Sequence, residues 1–263
     1  MAVDYSKLDY YAKLAVSHTK EMREKYPKEI ADCVANTKHY KEPLNVEIIH
    51  SAAVPSPELW DRDSLTAAFE AKEKYNSNKI AILNFASFKF PGGKFKDGFM
   101  NQEEDLCHKS YLYNILENFT NTYYRPHLAP VNLNQHLYRN EALYTPNIRF
   151  TDEDKEDFFD VVTISAPNFK TANRLFRVDP KRNKRVLELR IQFLNKILTI
   201  EQVDCVILGA FGCGVFGQTP HMVAQIFNDT FKNSTVNHII YAVPKSLNET
   251  NYNVFNNRIG KGE

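Results

Sequence analysis

The sequence predicts an α/β/α sandwich, a mixed and largely parallel sheet with helices on both faces. Five short apolar runs rich in β-branched residues read as strands: Val46–Ala52, Lys79–Phe85, Asp160–Ser165, Val203–Leu208 and His238–Val243. Helical patterns at Ser64–Tyr75, Gln102–Asn121, Arg182–Leu198 and His221–Phe231 alternate with them. The runs are continuously apolar, as expected of strands covered on both sides by crossover helices.

The flanking segments complete the layout. Residues 4–42 carry aromatic and aliphatic positions at mixed helical spacing, and Pro27 divides them into helices near Leu8–Glu24 and Lys28–Tyr40. Thr122–Asp157 contains Pro126, Pro130 and Pro146 and ends in an acidic run from Asp152, so an irregular surface insertion with a solvated acidic face is expected. The polar tail from Asn248 holds Gly260 and Gly262 and is expected to fray. The chain divides into a helical segment (1–44), the sandwich (45–247) and the tail (248–263).

Composition removes several function classes. The 263 residues hold 33 basic and 32 acidic side chains, so any anionic ligand must be gripped locally. No apolar run approaches the roughly 18 residues that span a bilayer, and the first thirty residues lack a secretory signal pattern. An intracellular protein, cytoplasmic or nuclear, without membrane contact is expected; the sequons at Asn118, Asn228, Asn233 and Asn248 are then chance matches. Cysteines 33, 107, 205 and 213 show no zinc spacing, and Cys107 and His108 would point about 100° apart on a helix, so no metal is expected.

Two glycine-bearing stretches carry the chemistry: Asn84-Phe-Ala-Ser87 running through Pro91-Gly92-Gly93-Lys94 to Gln102-Glu103-Glu104-Asp105, and Leu208-Gly209-Ala-Phe211-Gly212-Cys213-Gly214-Val215-Phe216-Gly217. Each reads as strand, glycine loop, helix. Backbone N–H groups of such loops and the following helix start cradle anions, and ligands in α/β sheets bind at the carboxyl ends of the strands. Gly212 to Gly217 also satisfies the G-x-G-x-x-G dinucleotide fingerprint. A nicotinamide enzyme is disfavoured, because no acid ends the next strand, Ala242-Val-Pro-Lys245, and only 46 residues follow Gly217. Phe211 and Phe216 suit either core packing or contact with a sugar or base, and Cys213 has no base placed beside it by sequence.

Asn101 followed by Glu104 has the form of a capping box, so Glu104 serves either its own helix or a reaction. The stretch as a whole resembles the microbial-type poly(ADP-ribose) glycohydrolases of the macrodomain superfamily. The likeness rests on Asn84-Phe-Ala-Ser, Pro-Gly-Gly, a seven-residue spacer after Lys94, Gln102-Glu-Glu-Asp-Leu-Cys and Gly209-Ala-Phe-Gly-Cys-Gly-Val-Phe. It spans about Leu59 to Pro244, with Ser64-Leu-Thr-Ala-Ala and Ser165-Ala-Pro-Asn168 included.

The resemblance implies a macrodomain-like sandwich with an N-terminal helical extension, and hydrolysis of an O-glycosidic ribose bond in ADP-ribose conjugates without a cofactor. It implies Glu104 as the catalytic acid, with Glu103 and Gln102 orienting the substrate. Asn84, Ser87, Gly92 and Gly93 would lie near the distal ribose, and Gly209 with Phe211 to Phe216 around the pyrophosphate. The partner is ADP-ribose or an ADP-ribosylated substrate, with modified nucleic acid left open as a carrier and the oligomeric state unassigned. One position departs from the pattern: the third signature glycine is Lys94. A positive φ there would cost a lysine on the order of 1 kcal/mol and bring its side chain to the site, which makes an ADP-ribose reader without turnover the alternative.

Overall fold

A computed structural model describes residues 5–47 and 57–259. Its sheet has seven strands: β1 (Lys38–Lys41), β2 (Pro57–Trp60), β3 (Ile80–Phe85), β4 (Glu141–Asp152), β5 (Lys155–Ile164), β6 (Cys205–Leu208) and β7 (His238–Ala242), in the order β1-β4-β5-β3-β6-β7-β2. The pairs from β5 to β2 are parallel, and only β1–β4 and β4–β5 are antiparallel.

Alternate residues of the central strands feed opposite cores. Ile80, Ile82, Cys205 and Ile207 join one apolar cluster, and Ala81, Leu83, Val206 and Leu208 the other. The first cluster is closed by α1 (Tyr5–Lys25), α2 (Pro27–Asn36), α3 (Ser64–Tyr75), α4 (Gln102–His108) and α5 (Leu112–Leu116). The short α6 (Phe169–Phe176) follows β5, and α7 (Pro180–Ile200), α8 (Pro220–Phe231) and α9 (Glu249–Ile259) close the second cluster. None of the described helices is long and apolar enough to cross a membrane.

Several expectations change. The helix expected to reach Tyr40 stops at Asn36, because Thr37 turns extended and residues 38–41 pair with β4 as an edge strand. The strand expected at Val46–Ala52 lies mostly outside the described residues. Gln102–Asn121 is broken by turns into α4, α5 and short irregular helical pieces.

Thr122–Asp157 is no surface insertion. Tyr123, Tyr124 and His127 are buried, and β4 pairs with β5 as a long hairpin whose exposed acidic turn is the expected solvated face. Pro146 misled because it sits at the register shift between Thr145 and Ile148, where a strand tolerates a residue without an N–H. At the other end, residues 249–259 form a helix, since Phe255 and Ile259 bury against the second core, and Gly260 and Gly262, where fraying is expected, lie outside the described residues.

Candidate active site

The two glycine loops leave adjacent strands. β3 lies between β5 and β6, all parallel, so the segments after Phe85, Ile164 and Leu208 emerge at the same edge. The rings of Phe85 and Phe211 are 5.8 Å apart, and a side chain at Gly209 would meet the Phe85 ring at 2.9 Å.

At the tip of β3, the fully buried Asn84 donates long hydrogen bonds from its amide nitrogen to Glu103 Oε1 (3.4 Å) and Thr163 Oγ1 (3.3 Å). Its Oδ1 accepts none among the described residues. A buried acceptor left in this way costs about 1–3 kcal/mol, a cost that a ligand hydroxyl would relieve. Ser87 shapes the loop: its hydroxyl accepts from the N–H groups of Lys89 and Phe90 at 3.2 Å.

Gly92 and Gly93 both have φ near +61°, and Gly92 is buried against Tyr113 and Cys107. A Cβ on Gly93 would lie 2.6 Å from Glu104 Oε1 and 2.8 Å from Glu103 Oε2. Both carboxylates therefore converge on one stretch of backbone that only glycine leaves free.

Glu104 settles the capping question by doing more than cap. Its Oε2 accepts the N–H of Asn101 at 3.0 Å, within its own helix start, and its Oε1 accepts the N–H of Lys94 at 2.8 Å, from the glycine loop. Helix and loop are thereby joined through one carboxylate, and each oxygen keeps a second lone pair. Glu103 accepts the N–H of Ser87 at 2.7 Å. Burial first, then the neighbouring Glu104 charge, push the Glu103 carboxyl well above its ordinary 4.5, against the opposing bonds from Ser87 and Asn84. The protonated form of Glu103 is therefore favoured at a pH where exposed glutamates have lost their protons.

Gln102 turns away from the carboxylates. Its Oε1 accepts from Phe85 N–H at 2.8 Å, and its Nε2 donates to Leu83 O (2.8 Å) and Ser64 Oγ (3.2 Å), tying α4 to β3. Lys94 has φ −111°, an ordinary value for a side-chain-bearing residue, so the strain expected of it is absent. It is exposed, with its ammonium 4.3 Å from the centre of the Phe99 ring.

In the second loop, Phe211 is a core residue between Phe85 and Phe227. Burial pushes the Cys213 thiol up to about 12, which makes it a poor nucleophile. A Cβ on Gly214 would meet no atom within 4 Å, Val215 is 71% exposed, and Phe216 meets Tyr138 edge-on at 6.3 Å, so the loop tip stands open beside an aromatic wall. Among the described residues no cluster of His, Cys, Asp or Glu could hold a metal ion.

Sequence reasoning missed the floor of the site. Phe88 is sandwiched between His127 (3.8 Å) and Tyr138 (3.9 Å), and Tyr124, whose buried hydroxyl has no partner among the described residues, bears electrostatically on Glu103. Aromatic pairs at Tyr123-Tyr124 were the available signal, hidden by the surrounding prolines. A cavity of about 410 Å³ also opens near Tyr138, lined by Lys41, Arg139, Asn140 and Glu141 among others. It is a weaker candidate for chemistry: burial raises the Glu141 carboxyl, but bonds from His127 and His39 outweigh it and hold the group well below the ordinary range, as a fixed ion.

A family model described as the microbial-type PARG catalytic domain matches residues 6–152, more than half of the chain. The crystal structure of poly(ADP-ribose) glycohydrolase from Thermomonospora curvata bound to the inhibitor ADP-HPD is similar with a TM-score of 0.82, at 22% identity over 95% of this chain and 99% of that one. The Deinococcus radiodurans poly(ADP-ribose) glycohydrolase in complex with ADP-ribose gives 0.74, at 22% identity over 89% and 98%. These likenesses show the same fold. No curated protein sequence matches the chain.

Proposed function

The chain belongs to the microbial-type PARG catalytic-domain family, and from that premise we propose that it hydrolyses the O-glycosidic ribose bond of poly(ADP-ribose) or ADP-ribosylated substrates and releases ADP-ribose. The observation that carries this reading is the convergence of Glu103 and Glu104 on Gly93, at the strand edge where the second glycine loop stands open.

In this mechanism the backbone N–H groups of residues 212 and 214–216 hold the pyrophosphate, while that of Cys213 closes the loop on Ala210 O, and Phe216 packs against the distal ribose. The free Oδ1 of Asn84 accepts a ribose hydroxyl, and Glu103 bonds the adjoining one. Glu104 protonates the departing ribosyl oxygen as the sugar becomes oxocarbenium-like, and then takes a proton from the attacking water. Gln102 acts as a positioning residue through Phe85 and Leu83.

The reader alternative drew its force from strain at Lys94, and φ −111° removes that force. Four free thiols support an intracellular setting. Replacing Glu104→Gln tests the proposal: kcat for ADP-ribose release should fall about 100- to 10,000-fold while calorimetric ADP-ribose binding persists. Undiminished turnover would remove Glu104 from the mechanism.

A further inference from the structure

Residues 170–185 hold seven of the chain's 33 basic side chains and one of its 32 acids, so the near-neutral total conceals a strongly positive segment. The seven, from Lys170 to Arg185, are all exposed. Among the described residues Lys170, Arg174, Arg177, Lys181 and Arg182 pair with no carboxylate; Glu188 faces only Lys184 and Arg185. Arg182 donates instead to the neutral side chains of Gln135 and Asn134.

The placement opposes stability. Four of these cations occupy the first two turns of α7, whose first turn carries no acid, so they crowd the positive end of the helix dipole. Folding alone gives no reason for that arrangement, and an anionic partner does. Between Arg174 and Arg177, Leu175 is 55% and Phe176 47% exposed, an apolar step among cations of the kind that stacks nucleobases.

The face is continuous with the active site. Lys170 N–H donates to Phe216 O at 3.0 Å, so α6 begins on the second glycine loop. From the other side Lys89, two residues beyond Ser87, bears with Arg174 on His136, whose imidazole is lowered by burial and then by these two charges.

We infer that the basic face of α6 and the start of α7 binds the phosphates and bases of a poly(ADP-ribose) chain beyond the unit seated in the glycine loops. This rests on the function proposed above. A single modified side chain has no repeating phosphates to reach the face, whereas each added polymer unit brings a pyrophosphate and an adenine.

The triple variant Arg174→Glu, Arg177→Asn, Lys181→Glu tests it; asparagine suits the left-handed backbone at position 177, where φ is +51°. KM for long linear polymer should rise about tenfold or more, with a shallower dependence on salt, and KM for a two-unit oligomer, which brings a single further pyrophosphate, should rise much less, while kcat and ADP-ribose affinity stay as in the wild type. Equal changes on polymer and two-unit oligomer, or none on polymer, would overturn the inference. So would single-stranded RNA or DNA of matched phosphate count displacing the polymer from the wild type with equal affinity, since the face would then read nucleic acid. Fluorescent polymer binding by both proteins separates the two claims: if the wild type cleaves nothing yet binds polymer through this face, the hydrolase reading fails and the binding face stands.

Discussion

Burial first, and then the charge of the neighbouring Glu104, raises the Glu103 carboxyl well above its ordinary 4.5. Its carboxyl value is raised on folding, so between the ordinary 4.5 and the raised value the native state binds a proton that the unfolded chain has released. Stability conferred by this group is full below that window and is lost as pH rises through it. Glu103→Gln should therefore abolish a wild-type decline of up to about 1.4 kcal/mol per pH unit, read as flatter urea midpoints from acid to neutral pH. Parallel curves for the two proteins would place the proton elsewhere. Lys94 gives the complementary test: at φ −111° a glycine gains nothing, so Lys94→Gly should lower stability by about 0.5–1 kcal/mol and leave turnover unchanged. A large gain in kcat would restore the idea that lysine impairs the site.

Among the elements, what was legible depended on period and length. The strands ending at Phe85, Leu208 and Ala242 are predominantly apolar runs, and Ser64–Tyr75 is bounded by Asp63, whose carboxylate accepts the N–H groups of Leu65 and Thr66. Both glycine loops and the acid pair follow from such local signals. β1 and β4 did not, because a short edge strand with lysines at both ends and a strand interrupted at Pro146 depend on pairing partners remote in sequence. Tyr124, Phe88 and Tyr138 were missed for the same reason: the stack of Phe88 on Tyr138 and His127, and the electrostatic contact of Tyr124 with Glu103, are set by tertiary structure. The same logic governs α1. Gly98, at φ +78°, lets that helix approach so closely that a Cβ there would lie 2.0 Å from Leu8 O. Gly98→Ala should lift α1 from the first glycine loop, seen as faster amide exchange over residues 8–20 and a lower melting temperature. Unchanged protection would show that this contact does not hold the helix.

Over the full chain, the sheet order turns two loops separated by more than a hundred residues into neighbours: β3 and β6 run side by side and end together. Around that edge the chain places an acid pair, an open glycine loop, an aromatic stack and a basic flank. α1 supports the arrangement from below, through Thr19, whose hydroxyl accepts from Lys96 and whose carbonyl accepts from Asn114. On this reading both loops grip one ligand, with its reacting ribose against Glu104. A crystal structure of the Glu104→Gln variant with ADP-ribose decides the matter. The pyrophosphate should lie on the N–H groups of residues 212 and 214–216, and the distal ribose should touch position 104 and Asn84. ADP-ribose seated in the cavity lined by Arg139 and Asn140, or with its distal ribose turned away from residue 104, would refute the shared site.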